Sequence, residues 1–140
     1  MTDPIITAAV AARLAAHAPY SRFLVGAALR CDDGSIHAGC NVENAAYPEG
    51  VCAEASAISA MVLAGGRRIT AIAIAGAGPR PCTPCGGCRQ KLSEFALPEA
   101  EILMVDEAAT VLMRSALGEL LPYAFNAAAF AARDSALDNS

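Results

Sequence analysis

No run of lysine or arginine occurs in this 140-residue chain, and its formal charge is -4. Phosphate binding needs clustered positive charge, so a long polyanion such as nucleic acid is excluded as a partner. No apolar run approaches the length needed to span a membrane. There is no internal repeat and no linker, so residues 1–140 are read as one domain, long enough to bury a core but too short for two. The two histidines, His17 and His37, have no partner at ligand spacing and read as ordinary surface or packing residues.

What is present is apolar and small. Residues of the set AVILMFWYC make up 55% of the chain, many of them alanine. That surplus points to apolar surface buried between subunits. The first stretch, MTDPIITAAVAARLAAHAP, has acid before any base, Pro4 just inside a Thr2/Asp3 cap, and Ile6, Val10 and Leu14 at every fourth position. It reads as an amphipathic helix rather than a signal peptide, and the protein as cytoplasmic. In that compartment disulfides are rare, so the six cysteines are expected to be ligands or buried thiols.

Along the chain, FLVGAAL (23–29) and IHAGCNV (36–42) read as strands joined by CDDGS, whose Asp-Gly signals a hairpin. AEASAISAMVLA (53–64) reads as a helix stopped by Gly65-Gly66, ITAIAIA (69–75) as a strand, CGGCRQKLSEFA (85–96) as a second helix and EILMV (101–105) as a buried strand. TVLMRS (110–115) fits a fifth strand or the start of a helix, and the Ala-rich tail is expected to be helical. Alternating strands and helices, opened by a hairpin, predict a layered α/β sandwich with mixed pairing.

The chemistry concentrates in PEGVCAEASA and PCTPCGGCRQ. Cys85 and Cys88 lie three apart, so in the first turn of a helix both sulfurs face one way and can hold a zinc at ~2.3 Å. Cys52 and Glu54 would point about 200° apart on a continuing helix. At an N-terminus both can reach around the open end, where free N–H groups and the helix dipole favour thiolates. Three thiolates leave one tetrahedral position open, which marks a catalytic rather than a structural zinc, with Glu54 beside it as proton shuttle. Cys-x-Glu followed by Pro-Cys-x-x-Cys is the three-cysteine form of the zinc deaminase signature, in which the Glu is not a ligand. Two other readings remain at this point: an iron–sulfur module using Cys82, Cys85 and Cys88 with Cys40 or Cys52, and a closed structural zinc with Cys82 as fourth ligand. Cys31 and Cys40 read as buried thiols in strands.

From Phe23 to Phe125, through FLVGAAL, GCNVENAAYPEGVCAE, TPCGGCRQKLSEF and LGELLP in order, the chain resembles the small homotetrameric zinc-dependent cytidine deaminases. The resemblance implies a three-layer α/β/α fold around a five-stranded mixed sheet. It also implies one zinc per subunit and hydrolysis of cytidine or deoxycytidine to the uridine product plus ammonia in pyrimidine salvage. Carried over by position, it makes Cys52, Cys85 and Cys88 the zinc ligands and Glu54 the catalytic acid/base. Phe23 packs on the pyrimidine, Asn41 and Glu43 bind the ribose 3′-hydroxyl, and the Ala53 N–H helps hold the base. Tyr47 and Phe125 serve a neighbouring subunit's site, so a homotetramer with shared active sites is expected. A different aminated heterocycle is the rival substrate, since the zinc chemistry is indifferent to what hangs from the ring. One position departs from the pattern: the family often has Arg after the catalytic Glu, and here stands Ala55. Arg89, beside Cys88, is the nearest candidate cation in sequence.

Overall fold

The structure is a computed structural model that describes residues 1–130. Five strands form a mixed sheet in the order β2-β1-β3-β4-β5. They are β1 (Gly26–Cys31), β2 (Ile36–Cys40), β3 (Ile69–Ala75), β4 (Ala96–Val105) and β5 (Val111–Ala116). β1 pairs antiparallel with both β2 and β3, β3 runs parallel to β4, and β5 returns antiparallel. The helices are α1 (Pro4–Arg13), α2 (Ala53–Leu63), α3 (Gly86–Ser93) and the short α4 (Leu117–Leu120). This is the expected α/β architecture with a five-stranded mixed sheet.

The alternation in ITAIAIA divides the layers. Successive strand residues point to opposite faces. Ile72 and Ile74 join Leu29, Ile102 and Met104 under α2, α3 and α4, while Ala71, Ala73 and Ala75 face α1. One face is therefore bulky and the other small. The small face lets α1 sit close: a Cβ on Gly26 would lie 2.0 Å from the Ala9 carbonyl oxygen. Gly39 does the same on the other face, where a Cβ would lie 2.4 Å from the Ala57 nitrogen, so α2 settles directly on β2.

Several boundaries moved. The buried stripe of α1 is Ile5, Ile6 and Ala9, whereas Leu14 is 74% exposed. A four-residue repeat drifts about 40° per step on a 3.6-residue helix, which carries Leu14 off the packed face. Asp3 caps this helix, accepting from the Ile5 N–H at 3.1 Å, and its carboxylate also pairs with Arg30 of β1. β1 begins at Gly26 rather than Phe23, because residues 23–25 are held by a side chain, as described below. The expected helix to 96 ends at Ser93, and β4 then starts at Ala96, five residues early. Pro98 lacks the N–H that regular pairing needs. The Phe95 carbonyl accepts from Ile69 N–H at 2.8 Å, Ala96 pairs with Ile69, and a register shift before Ala71 absorbs the proline. TVLMRS is a strand, β5, because it pairs along β4. The expected helical tail falls mostly beyond residue 130, outside the described residues.

Candidate metal and nucleoside site

A parallel β3–β4 pair needs a crossover, and α3 supplies it. The crossover brings the N-terminus of α3 against that of α2 at one end of the sheet. Cys52 is the N-cap of α2 (φ -74°, ψ 154°) and Cys85 the N-cap of α3 (φ -66°, ψ 167°). Cys88 follows in the first turn of α3. Each thiol thus stands where helical N–H groups lack intrahelical partners, as the sequence spacing suggested. The sulfurs of Cys52, Cys85 and Cys88 all lie within 4.8 Å of one another. Zinc with ~2.3 Å bonds to tetrahedral sulfurs requires about 3.8 Å between them, a modest contraction.

The thiols differ in how readily they ionise. The Cys88 backbone N–H favours the Cys85 thiolate and lowers that pKa. Burial raises Cys52 and drives Cys88, fully inaccessible, far up. Two thiols that resist ionisation beside one that favours it form a donor set which a cation completes, since metal binding offsets the desolvation of thiolate. The residues present therefore fit zinc. Cys82 is not one of the three: it is half-buried against the core, and burial pushes its thiol up to about 11. It instead packs beside Gly76, where a Cβ would lie 2.7 Å from the Cys82 Cβ and 3.3 Å from the Phe23 ring.

Glu54 is 5% exposed and lies against this corner. Burial raises its pKa, with partial relief from its own backbone N–H and the Cys88 thiol. A carboxyl so held takes up a proton more readily than an exposed one, as suits a proton carrier. Arg89 does not face the sulfurs. Its Nε donates to the Pro84 carbonyl at 2.7 Å and its Nη1 to the Leu120 carbonyl at 2.9 Å, tying the loop before Cys85 to α4. Side-chain compensation near the thiols is thus not supplied by the cation that sequence proximity suggested.

Next to Cys52 opens a cavity of about 550 Å³, with Asn41, Glu43, Tyr47, Tyr20, Ser21 and Val51 among its lining. Asn41 Oδ1 accepts from Val25 N–H at 2.8 Å and its Nδ2 donates to the Phe23 carbonyl at 2.9 Å, which displaces 23–25 from the strand. Glu43 Oε1 accepts from the N–H groups of Tyr20 and Ser21 at 2.9 and 3.1 Å, and Oε2 from the Ser21 hydroxyl. These bonds lower the Glu43 pKa, the Ser21 hydroxyl most of all, and keep it an acceptor. Phe23 lies beside Gly76, outside the residues that line this cavity, and Ala53 is buried as the first residue of α2. Tyr47 is 76% exposed. Phe125 is 63% exposed and packs edge-on to Phe130 while its carbonyl accepts from Gln90, so it does not line its own chain's cavity.

Sequence reasoning missed Ser21, the clamp made by Arg89 and the wall made by Cys82 with Gly76. Nothing in residue type or spacing marks them; only the fold brings them to the site.

The chain is also similar to known proteins in sequence and fold. The family profile described as "Cytidine and deoxycytidylate deaminase zinc-binding region" matches residues 3–104. A cytidine deaminase of Halalkalibacterium halodurans is 40% identical over 88% of this chain and 92% of its own. One of Mycobacterium tuberculosis is 42% identical over 84% of each chain. The crystal structure of a cytidine deaminase from Burkholderia pseudomallei superposes with a TM-score of 0.82 at 44% identity, covering 89% of this chain and all of that one.

Proposed function

The chain belongs to the cytidine and deoxycytidylate deaminase family, and from that premise we propose that it hydrolyses cytidine, and deoxycytidine as an equal candidate, to the uridine product and ammonia. The observation that carries this reading is the meeting of three cysteine sulfurs, the buried Glu54 and an open cavity at one corner of the sheet. Cys52, Cys85 and Cys88 would hold one zinc per chain. A zinc held there would supply Lewis acidity and lower the pKa of a water molecule.

The chain's own residues do the rest. Glu54 takes a proton from the attacking water as the new C–O bond forms at ring carbon 4, and delivers it to ring nitrogen 3. It then takes the second water proton and gives it to the exocyclic amine. The C–N bond breaks and ammonia leaves. Burial raises the carboxyl's pKa and so favours its taking up each proton. The Ala53 N–H, at the first position of α2 and without an intrahelical acceptor, is available to the base. Phe23 packs on the ring.

The sugar reading rests on hydrogen-bond capacity. Asn41 keeps one N–H donor, and Glu43, with three of about four acceptor positions used, keeps one more. A hydroxyl that both donates and accepts satisfies the pair, as the 3′-hydroxyl of either nucleoside would. A bare base leaves them unmatched.

Phe125, outside its own chain's cavity, and Tyr47, exposed while lining its own, are assigned as aromatics that also serve neighbouring sites in a homotetramer whose pockets are shared. The setting is cytoplasmic pyrimidine salvage by a one-domain enzyme, and no helix among the described residues is long and apolar enough to cross a membrane. Zinc-loaded protein assayed by absorbance with cytidine, deoxycytidine and cytosine side by side tests the reading. Turnover of the nucleosides and not of cytosine is expected. Equal turnover of cytosine would remove the sugar from it, and turnover of none would refute it.

A further inference from the structure

Residues 17–25 connect α1 to β1 around the cavity, and they adopt a conformation that a chain does not choose unaided. Arg22 has a φ of 59°, in the left-handed region, which costs a residue with a Cβ and persists only where its surroundings over-determine it. The surroundings here are backbone bonds, from Arg22 N–H to the Ala18 carbonyl at 2.9 Å and between His17 and residues 41 and 43, together with side chains. Asn41 holds Phe23 and Val25, Glu43 holds Tyr20 and Ser21, and the Phe23 N–H donates to the Ser21 hydroxyl at 3.0 Å.

Ser21 joins the two halves of this arrangement. A hydroxyl has one hydrogen and two lone pairs. Ser21 gives its hydrogen to Glu43 Oε2 and takes the Phe23 N–H on its oxygen, so one atom touches both the carboxylate and the backbone that carries the aromatic. Of the Glu43 acceptor positions, both on Oε1 are occupied by backbone N–H groups, and the open one is on Oε2, the oxygen that Ser21 fixes.

We propose that Ser21 is a positioning residue that couples recognition of the substrate's sugar hydroxyl at Glu43 to the placement of Phe23 against the base. The proposal rests on the nucleoside reading and adds to it a residue and a linkage. A hydroxyl docking on Oε2 meets a carboxylate already fixed and gains from it. Without the Ser21 hydroxyl, Oε2 is free to turn and hydrate, the Phe23 N–H loses its acceptor, and Arg22 loses a support of its strained backbone.

The test compares the zinc-loaded wild type, Ser21→Ala and Ser21→Thr with cytidine and with 3′-deoxycytidine. In the wild type, removing the 3′-hydroxyl should cost about tenfold or more in kcat/KM, the scale of a hydrogen bond to a charged group. In Ser21→Ala the same removal should cost only about two- to threefold, because the hydroxyl no longer meets a fixed acceptor. The variant's own loss with cytidine should fall mainly on KM, and Ser21→Thr, which keeps the hydroxyl, should restore most of the discrimination. A purely structural role would lower kcat/KM for both substrates by the same factor, and an unchanged ratio in an active Ser21→Ala overturns the coupling while leaving the deaminase reading intact. Should Ser21→Ala fail to fold, Ser21→Cys, which keeps the size and loses the strong donor, is held to the same ratio. A wild type inert toward cytidine overturns both.

Discussion

Around Cys52, Cys85 and Cys88 the backbone is organised by helices seated on the sheet, whereas around Asn41 and Glu43 isolated bridges hold it and side chains supply much of the rest. The three sulfurs of the metal corner all come from one chain. Ala53, Glu54 and Cys88 are buried there, and α2 and α3 pack on the isoleucine face through Ala57, Met61 and Leu92. The rim is irregular, strained at Arg22 and bordered by aromatics that one chain leaves in water. On the proposed reading, the difference would make the chemistry complete in one chain and substrate binding dependent on its neighbours. Substitutions in the corner should act on metal and turnover, and those in the rim on KM.

The largest effect tests the self-sufficiency of the corner. Replacing Cys52, Cys85 or Cys88 by Ser should abolish turnover and reduce zinc to well under one per chain by elemental analysis, because an alcohol is a far poorer zinc ligand than a thiolate. Cys82→Ser should keep both, since that thiol is held neutral in a packed wall. Loss of zinc in Cys82→Ser as complete as in the other three would restore the closed four-sulfur site and break the comparison.

Glu54→Gln separates metal from proton transfer within the same corner. Zinc content and fold should be unchanged while kcat falls by at least ~100 to 10,000-fold, the contribution of general acid–base catalysis. If zinc were lost instead and the rate per bound metal survived, Glu54 would be a ligand and the assigned roles would be exchanged.

The same contrast explains what could be read in advance. The corner was legible because metal chemistry dictates residue type and spacing locally: Cys-x-Glu and Cys-x-x-Cys each sit at one helix start, and ITAIAIA between them reads as a strand from its apolar run. The rim was less so. Asn41 and Glu43 were identified through a resemblance, but their grip on residues 20–25 depends on contacts 16 to 23 residues apart. Such contacts leave no local pattern, so β1 was expected to begin at Phe23. Arg89 shows the opposite error, a neighbour in sequence whose guanidinium the fold turns toward the Pro84 and Leu120 carbonyls.

The rim prediction is milder. Tyr47→Ala and Phe125→Ala should each raise KM about tenfold with a smaller effect on kcat, in keeping with loss of an aromatic contact made across subunits. Sedimentation of Phe125→Ala should also show a weakened tetramer. A wild type that sediments as a fully active monomer would mean that the rim is complete in one chain, and the asymmetry between the two regions would disappear.

The smallest expected effect concerns charge in the corner. Zinc with three thiolates carries net charge -1, and an ionised Glu54 adds another negative charge in a buried place. With Arg89 committed to carbonyls and Ala55 in the first turn of α2, compensation falls to the helix N-termini, of which the Cys88 N–H against Cys85 is the visible part. Burial raises the Glu54 pKa, so the acidic limb of kcat/KM, which reports ionisation of the base in the free enzyme, should lie above the ordinary carboxylate range. A cation nearby favours the charged form and lowers that pKa. Ala55→Arg, which installs the residue often present in the resembling family, should therefore move the acidic limb to lower pH by about one unit, with zinc content unchanged. The rate at the pH optimum should change only a few-fold, because the variant alters when the base is ionised and not where it stands. A limb that stays in place in a folded, fully metallated variant would mean that the two helix ends already supply the compensation, and that the corner is self-sufficient in charge as well as in ligands.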